Sequence, residues 1–175
     1  MFVGCEGESE QGYAALLARL IDEARLAVHL DAVLLQPGGG DPLAIVERAA
    51  TRADEREGRR GDPYVRRFVI LDDDKLDQTP QRDQRIAGVA ANSGLHLIWQ
   101  SPCHEAVLLR HLEGCAQLRP PSTAIAGQQL VARWPGYQKA MPAVRLAERL
   151  DRAAVTRAAT VEAELSVLLQ EIGLI

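Results

Sequence analysis

Three carboxylates in a row, Asp72-Asp73-Asp74, follow directly on the apolar run Phe68-Val69-Ile70-Leu71 with no turn residue between. Adjacent acids repel one another unless a proton or a cation separates them. In extended backbone, Asp72 and Asp74 point to one side and Asp73 to the other. That spacing suits an Asp-x-Asp magnesium site, and it equally suits an acidic turn closing a strand. Two further acids fall in comparable places. Glu6 ends the first apolar run, and Glu105 lies in the first turn of the helix expected after residue 100. Convergent carboxylates are what Mg2+ (or Mn2+) takes as ligands, with water and substrate phosphate filling the remaining positions. Two such ions can stabilise the attacking and leaving oxygens of phosphoryl transfer.

For these acids to meet, the chain must bring several strand ends to one edge. Phe68–Leu71 reads as a strand buried on both faces, as in parallel sheets. Residues 1–5, 30–35 and 95–100 supply three more strands. Between them run helical patterns: Tyr13, Leu16, Leu17, Leu20 and Ala24 in the first, and Val46, Ala49, Ala50 and Ala53 in the second. Asp41-Pro42 and Thr79-Pro80 are N-cap-then-proline starts, and Ser101-Pro102 opens a fourth helix whose Val107, Leu108, His111 and Leu112 can face the sheet. Such alternation predicts an α/β domain over residues 1–116 with about four parallel strands flanked by helices. Ligands in such sheets bind beyond the carboxyl ends of the strands. After the bend at Leu118–Ser122, residues 117–175 read as a helical extension packed on that domain. Val144, Ala147, Leu150 and Ala154 mark one helix of it. Thr160 is placed to cap the last, which carries Val161, Leu165, Leu168, Leu169 and Ile172.

The chain has 175 residues, 47% of them hydrophobic, and a formal net charge of −4. That balance argues against a simple basic nucleic-acid coat protein. It leaves room for local patches: Arg52, Arg56, Arg59, Arg60, Arg66 and Arg67 cluster before the central strand, as a nucleic-acid contact or as a solvated connector ending near Pro63. No segment is long enough to cross a membrane, and the start lacks a signal-peptide pattern, so a cytoplasmic location is expected. Cys5, Cys103 and Cys115 have no CxxC spacing and suggest no disulfide framework.

Other constellations are weaker. The Gly38-Gly39-Gly40 run can let backbone amides approach a phosphate or can simply release the helix at Asp41. No Gly-Lys-Ser/Thr follows, so it is not a Walker A loop. His104, His111 and Cys115 share a helical face but span roughly 16 Å, too far for one tetrahedral zinc. Ser101 after the fourth strand suits a receiver domain, but the fifth strand and its lysine are missing. Glu8 fits a first-turn residue favoured by the helix dipole. Trp134, Pro135 and Tyr137 suit either base stacking or anchoring the helical extension. Only two of the 20 basic residues, Lys75 and Lys139, are lysines.

Glutamate-glycine at the end of the first strand and Asp-x-Asp at the end of the third resemble the TOPRIM signature. More closely, Cys5-Glu6-Gly7-Glu8-Ser9-Glu10, Gly38-Gly39-Gly40-Asp41-Pro42, Leu71-Asp72-Asp73-Asp74, Pro102-Cys103-His104-Glu105 and Tyr137-x-Lys139 resemble, in order and spacing, the RloB-like branch. Asp73 and Lys75 depart from the residues common there, and the basic lead-in before the first strand is absent. The resemblance implies a compact TOPRIM-like Rossmannoid and a magnesium-dependent nuclease of a phage-defence or restriction-linked system. It implies that Glu6 is a general acid or base and a metal ligand, that Asp72 and Asp74 hold Mg2+, and that Glu105 serves a second ion or positions water. Lys139 would stabilise the pentavalent phosphate, and Lys75 would do the same or offset its acidic neighbours. Gly38, Gly39, Arg59 and Arg60 would contact nucleic acid, RNA or DNA. An ABC- or AAA-type ATPase encoded nearby is the implied partner. The alternative is a non-catalytic adaptor for that ATPase.

Overall fold

The computed structural model describes residues 1–35 and 40–175. The elements run β1 (Phe2–Cys5), α1 (Glu8–Glu23), β2 (Asp31–Leu34), α2 (Pro42–Arg60), β3 (Arg67–Asp72), α3 (Pro80–Asn92), β4 (Leu95–Gln100) and α4 (His104–His111). The chain continues with α5 (Thr123–Arg133), α6 (Ala143–Leu146), α7 (Arg152–Ala159) and α8 (Ala163–Glu171). The four strands form one all-parallel sheet of order β2-β1-β3-β4, a Rossmann-like α/β arrangement.

Strand alternation divides the core. Val3, Cys5, Phe68 and Ile70 point to one face, where they join α1, α4 and the helices after residue 117 in one apolar cluster. Phe2, Val69 and Leu71 point to the other face, against α2 and α3. β3 is therefore buried from both sides, which is why Phe68–Leu71 carries no polar residue. Leu165, Leu168 and Leu169 of α8 lie in the same cluster as β1 and β3, so the C-terminal helices complete the sheet's cover. Each fully buried leucine there contributes roughly 1.5–3 kcal/mol.

Several starts match the sequence reading. Asp41 accepts the Leu43 N–H at 2.8 Å with Pro42 at the first helical position, and Pro80 opens α3. Others are corrected. Arg52, Arg56, Arg59 and Arg60 lie in the second half of α2, not in a connector, whereas Arg66 precedes β3 and Arg67 opens it; the helix runs on to Arg60 and stops at Gly61, whose φ of +77° favours glycine. The strand ends at Asp72, and Asp73–Lys75 enters a turn in which the Leu76 N–H donates to the Asp73 carbonyl at 2.9 Å. Asp72 and Asp74 are consequently not successive residues on one side of an extended strand. α4 begins at His104 rather than at Pro102. The stretch from Val144 to Ala154 is not one helix either. α6 ends at Leu146, and Asp151 starts α7 by accepting the Ala154 N–H at 2.8 Å. Thr160 closes α7, and Glu162 precedes α8.

Candidate functional site

β1 connects outward to β2 on one side, and β3 connects outward to β4 on the other. The crevice between β1 and β3 at their carboxyl ends is thus the topological switch point, where ligands sit in open α/β sheets. Glu6 and Asp72 flank it. The Asp72 N–H donates to Glu6 Oε2 at 2.9 Å, so the two strand ends are tied by a carboxylate. Asp72 Oδ1 accepts the N–H of His104, the first residue of α4, at 2.8 Å. That helix start brings a fixed positive dipole end to the crevice. Glu6 Oε1 and Asp72 Oδ2 have no hydrogen-bond partner among the described residues.

A third carboxylate enters from α1. Glu10 is only 5% exposed, caps its own helix by accepting the Gly7 N–H at 2.8 Å, and lies 3.6 Å from His104 Nδ1. The buried His104 ring contacts the Gln100 side-chain amide through the same nitrogen, and burial holds its pKa below the ordinary value. Glu105 is the fourth acid, on the first turn of α4 and 4% exposed. The Tyr137 hydroxyl donates to its Oε1 at 3.4 Å, and Lys139 Nζ stands 3.4 Å from the same oxygen. The loop carrying both is pinned to α1: the Ala140 N–H donates to Ser9 Oγ at 3.1 Å.

The titration behaviour follows from this crowding. Burial first, then the charges of Glu10, Glu6 and Glu105, push the Asp72 carboxyl up to about 9. Without a cation it therefore holds its proton at neutral pH. Glu6 is also raised, by burial foremost, with the Asp72 N–H and Lys75 opposing. Glu105 goes the other way. Burial acts to raise it, but its backbone N–H, Lys139, the Cys103 thiol and His104 together hold it below the usual carboxylate range. Glu105 in turn raises the Lys139 ammonium. The site thus separates a protonated Asp72 from an ionised Glu105.

As to the residues marked in the sequence, Glu6, Asp72 and Glu105 converge, and Lys139 joins them through Glu105. Asp74 is exposed on the turn, and its charge adds to the upward push on Glu6. Among the described residues, no group of three or more acid, histidine or cysteine side chains surrounds a common ion position. The donor chemistry nevertheless suits a hard cation: two carboxylates with open oxygens and two more acting on them, in a crevice whose lysines are Lys75 and Lys139. Lys75 Nζ is engaged by the Gly40 carbonyl at 2.9 Å. Glu8 is exposed in the first turn of α1.

Gly38 and Gly39 lie outside the described residues. Arg59 and Arg60 end α2, which runs back from the carboxyl edge, so they stand at the amino edge of the sheet; Arg60 acts on the Met1 amino group and lies 4.6 Å over the Tyr64 ring. They are not brought together with the acids. Arg52, Arg56, Arg66 and Arg67 pair with Glu55, Asp31, Glu171 and Glu57 respectively. An open cavity of about 720 Å³ adjoins the site, bounded by Glu105, Tyr137 and Lys139 and by Thr123, Gly127 and Val131 of α5.

Among the described residues no helix is long and apolar enough to cross a membrane. No curated protein and no solved structure matches the chain. The family model described as RloB-like protein does match, over residues 1–167, and the chain accordingly belongs to the RloB-like family.

Proposed function

We propose that this protein is a divalent-metal-dependent nuclease of TOPRIM type that cleaves phosphodiester bonds in RNA or DNA. In this reading it is an effector of a phage-defence or restriction-linked system, encoded beside an ABC- or AAA-type ATPase. The observation that carries the reading is Asp72. It sits at the switch point with one oxygen open, and burial, followed by the charges of three other carboxylates, raises its pKa to about 9. Glu6, Asp72 and Asp74 would hold Mg2+ or Mn2+, with Glu105 serving a second ion or orienting water. A bound divalent cation would supply charge neutralisation at the phosphate and a more acidic water. Glu6, whose pKa burial raises above the ordinary carboxylate value, is the group suited to take and return a proton. Lys139, fixed by Glu105 and by the loop pinned to Ser9, offers its ammonium to a phosphate oxygen at the mouth of the cavity.

The purified protein, incubated with Mg2+ or Mn2+ and labelled DNA and RNA, alone and with its genomic neighbour, tests this directly. Cleavage that needs the metal and disappears in Asp72→Asn is the expected result. A second reading, a non-catalytic adaptor for the ATPase, is favoured by one observation: among the described residues no three acid, histidine or cysteine side chains surround a common ion position. Absence of cleavage of either nucleic acid with the neighbour present selects the adaptor.

A further inference from the structure

A second cleft, of about 600 Å³, lies at the far end of α4 from the acids. Arg133 ends α5, Arg149 follows α6 and Arg157 belongs to α7, and all three line this cleft. Each guanidinium is held by a backbone carbonyl instead of a carboxylate. Arg157 donates to the His111 carbonyl, Arg149 to the Arg133 carbonyl at 3.2 Å, and Arg133 to the Gln129 carbonyl at 3.3 Å. Among the described residues none of the three makes an ion pair, whereas nine other arginines do. A carbonyl fixes the fork without neutralising it. The remaining N–H groups and the full charge stay available to a ligand.

Acids line the cleft too, but most are committed. Asp151 caps α7 through the Ala154 N–H, and Glu148 pairs with Arg145 at 2.8 Å. Only Glu113 has neither an ion pair nor a side-chain hydrogen bond among the described residues. Three guanidiniums and three carboxylates thus line one cavity, and the guanidiniums are the groups that no carboxylate pairs with among the described residues. Planar forks with paired donors match the oxygens of phosphate and of carboxylate, and three of them around one cavity suit the more highly charged phosphate.

We propose that the Arg133–Arg149–Arg157 cleft binds phosphate, either a backbone phosphodiester of a nucleic-acid strand or the phosphates of a free nucleotide. The site stands apart from the acid-lined crevice and does not rest on the nuclease reading. Binding is therefore measured in EDTA, which silences any metal chemistry. The probes are inorganic pyrophosphate, ATP and a short fluorescent single-stranded oligonucleotide without terminal phosphate, followed by calorimetry and anisotropy. The whole protein should bind at least one of them. Arg133→Gln together with Arg149→Gln, both exposed positions, should weaken that binding on the order of tenfold or more. Glu113→Gln should tighten it, a gain that a folding defect does not produce. Binding of the oligonucleotide alone assigns the strand backbone, and competition by ATP or pyrophosphate assigns the free phosphate. If no probe binds, or if the double variant binds like the wild type, the proposal is overturned.

Discussion

Replacing Asp72 with asparagine separates the cost of the acid cluster to the fold from its use. Asparagine keeps the oxygen that accepts the His104 N–H and adds donors toward Glu6, Glu10 and Glu105, so no buried group loses its partner. It removes only the ionisation. The Asp72 carboxyl titrates at about 9 in the fold and at 3.8 ordinarily. A group raised in this way binds its proton in the native state while the unfolded chain has released it. Stability is then highest below 3.8 and declines as pH rises toward 9. At pH 7, about three pH units above the ordinary value, the cost is about 4 kcal/mol at 1.36 kcal/mol per unit. Relaxation and partial access to water reduce this to about 2 kcal/mol. Without divalent metal, Asp72→Asn should therefore be more stable than wild type at pH 7. The gain in Tm is about 4–8 °C for a chain of this size. The difference should shrink toward pH 4.5. With Mg2+ or Mn2+ in the buffer the order should reverse, because a ligand at a hundred times its Kd stabilises by about 2.7 kcal/mol and asparagine forfeits that gain. Scanning calorimetry from pH 4.5 to 8, with EDTA or metal, reads both effects. A variant less stable than wild type in EDTA at pH 7 would refute the electrostatic reasoning. A wild-type melting curve indifferent to both metals would refute the metal assignment.

Two further predictions concern the scaffold. A Cβ at Gly12 would stand 2.3 Å from the Met141 carbonyl oxygen, so Gly12→Ala should lose about 1–2 kcal/mol in urea unfolding despite its better helix propensity; unchanged stability would show that the contact yields freely. Arg110 is 1% exposed by side chain and bonds Glu162, the Ser101 carbonyl and the Leu118 carbonyl. Arg110→Met should cost about 3–5 kcal/mol by stranding Glu162, and adding Glu162→Leu should recover much of the loss. A double variant as unstable as the single one would place the loss in packing instead of charge.

The elements most legible in the sequence were those with a single physical job. β3 is apolar because both faces are buried, and Asp41-Pro42 starts a helix because its side chain and ring satisfy the first turn. The second half of α2 was hidden for the opposite reason. Its polar residues face water or pair with charges such as Asp31, so no apolar period marks it. The break between α6 and α7 was hidden by spacing that happens to suit one helix, although Val144 is 59% exposed and only Leu146 of α6 is buried. Strand order, which creates the crevice, is a long-range property that no local window carries.

Glu10 is the site residue that motif reading passed over. Its signal was present: with Tyr13 and Leu17 it falls at i, i+3 and i+7 on the buried face of α1. A carboxylate on an apolar stripe either finds donors or serves a ligand, and Glu10 does find one in the Gly7 N–H. Asp72 admits a sharper argument. If it only closed a strand, any short side chain able to accept the His104 N–H would serve, and asparagine or serine would do so without the charge. Aspartate adds to that bond an ionisable group, set where Glu6, Glu10 and Glu105 already oppose ionisation. The fold is penalised for that charge and gets no architectural return from it. Under the proposed function that charge is what a divalent cation would bind, and Asp74, exposed on the adjoining turn, would add a further oxygen.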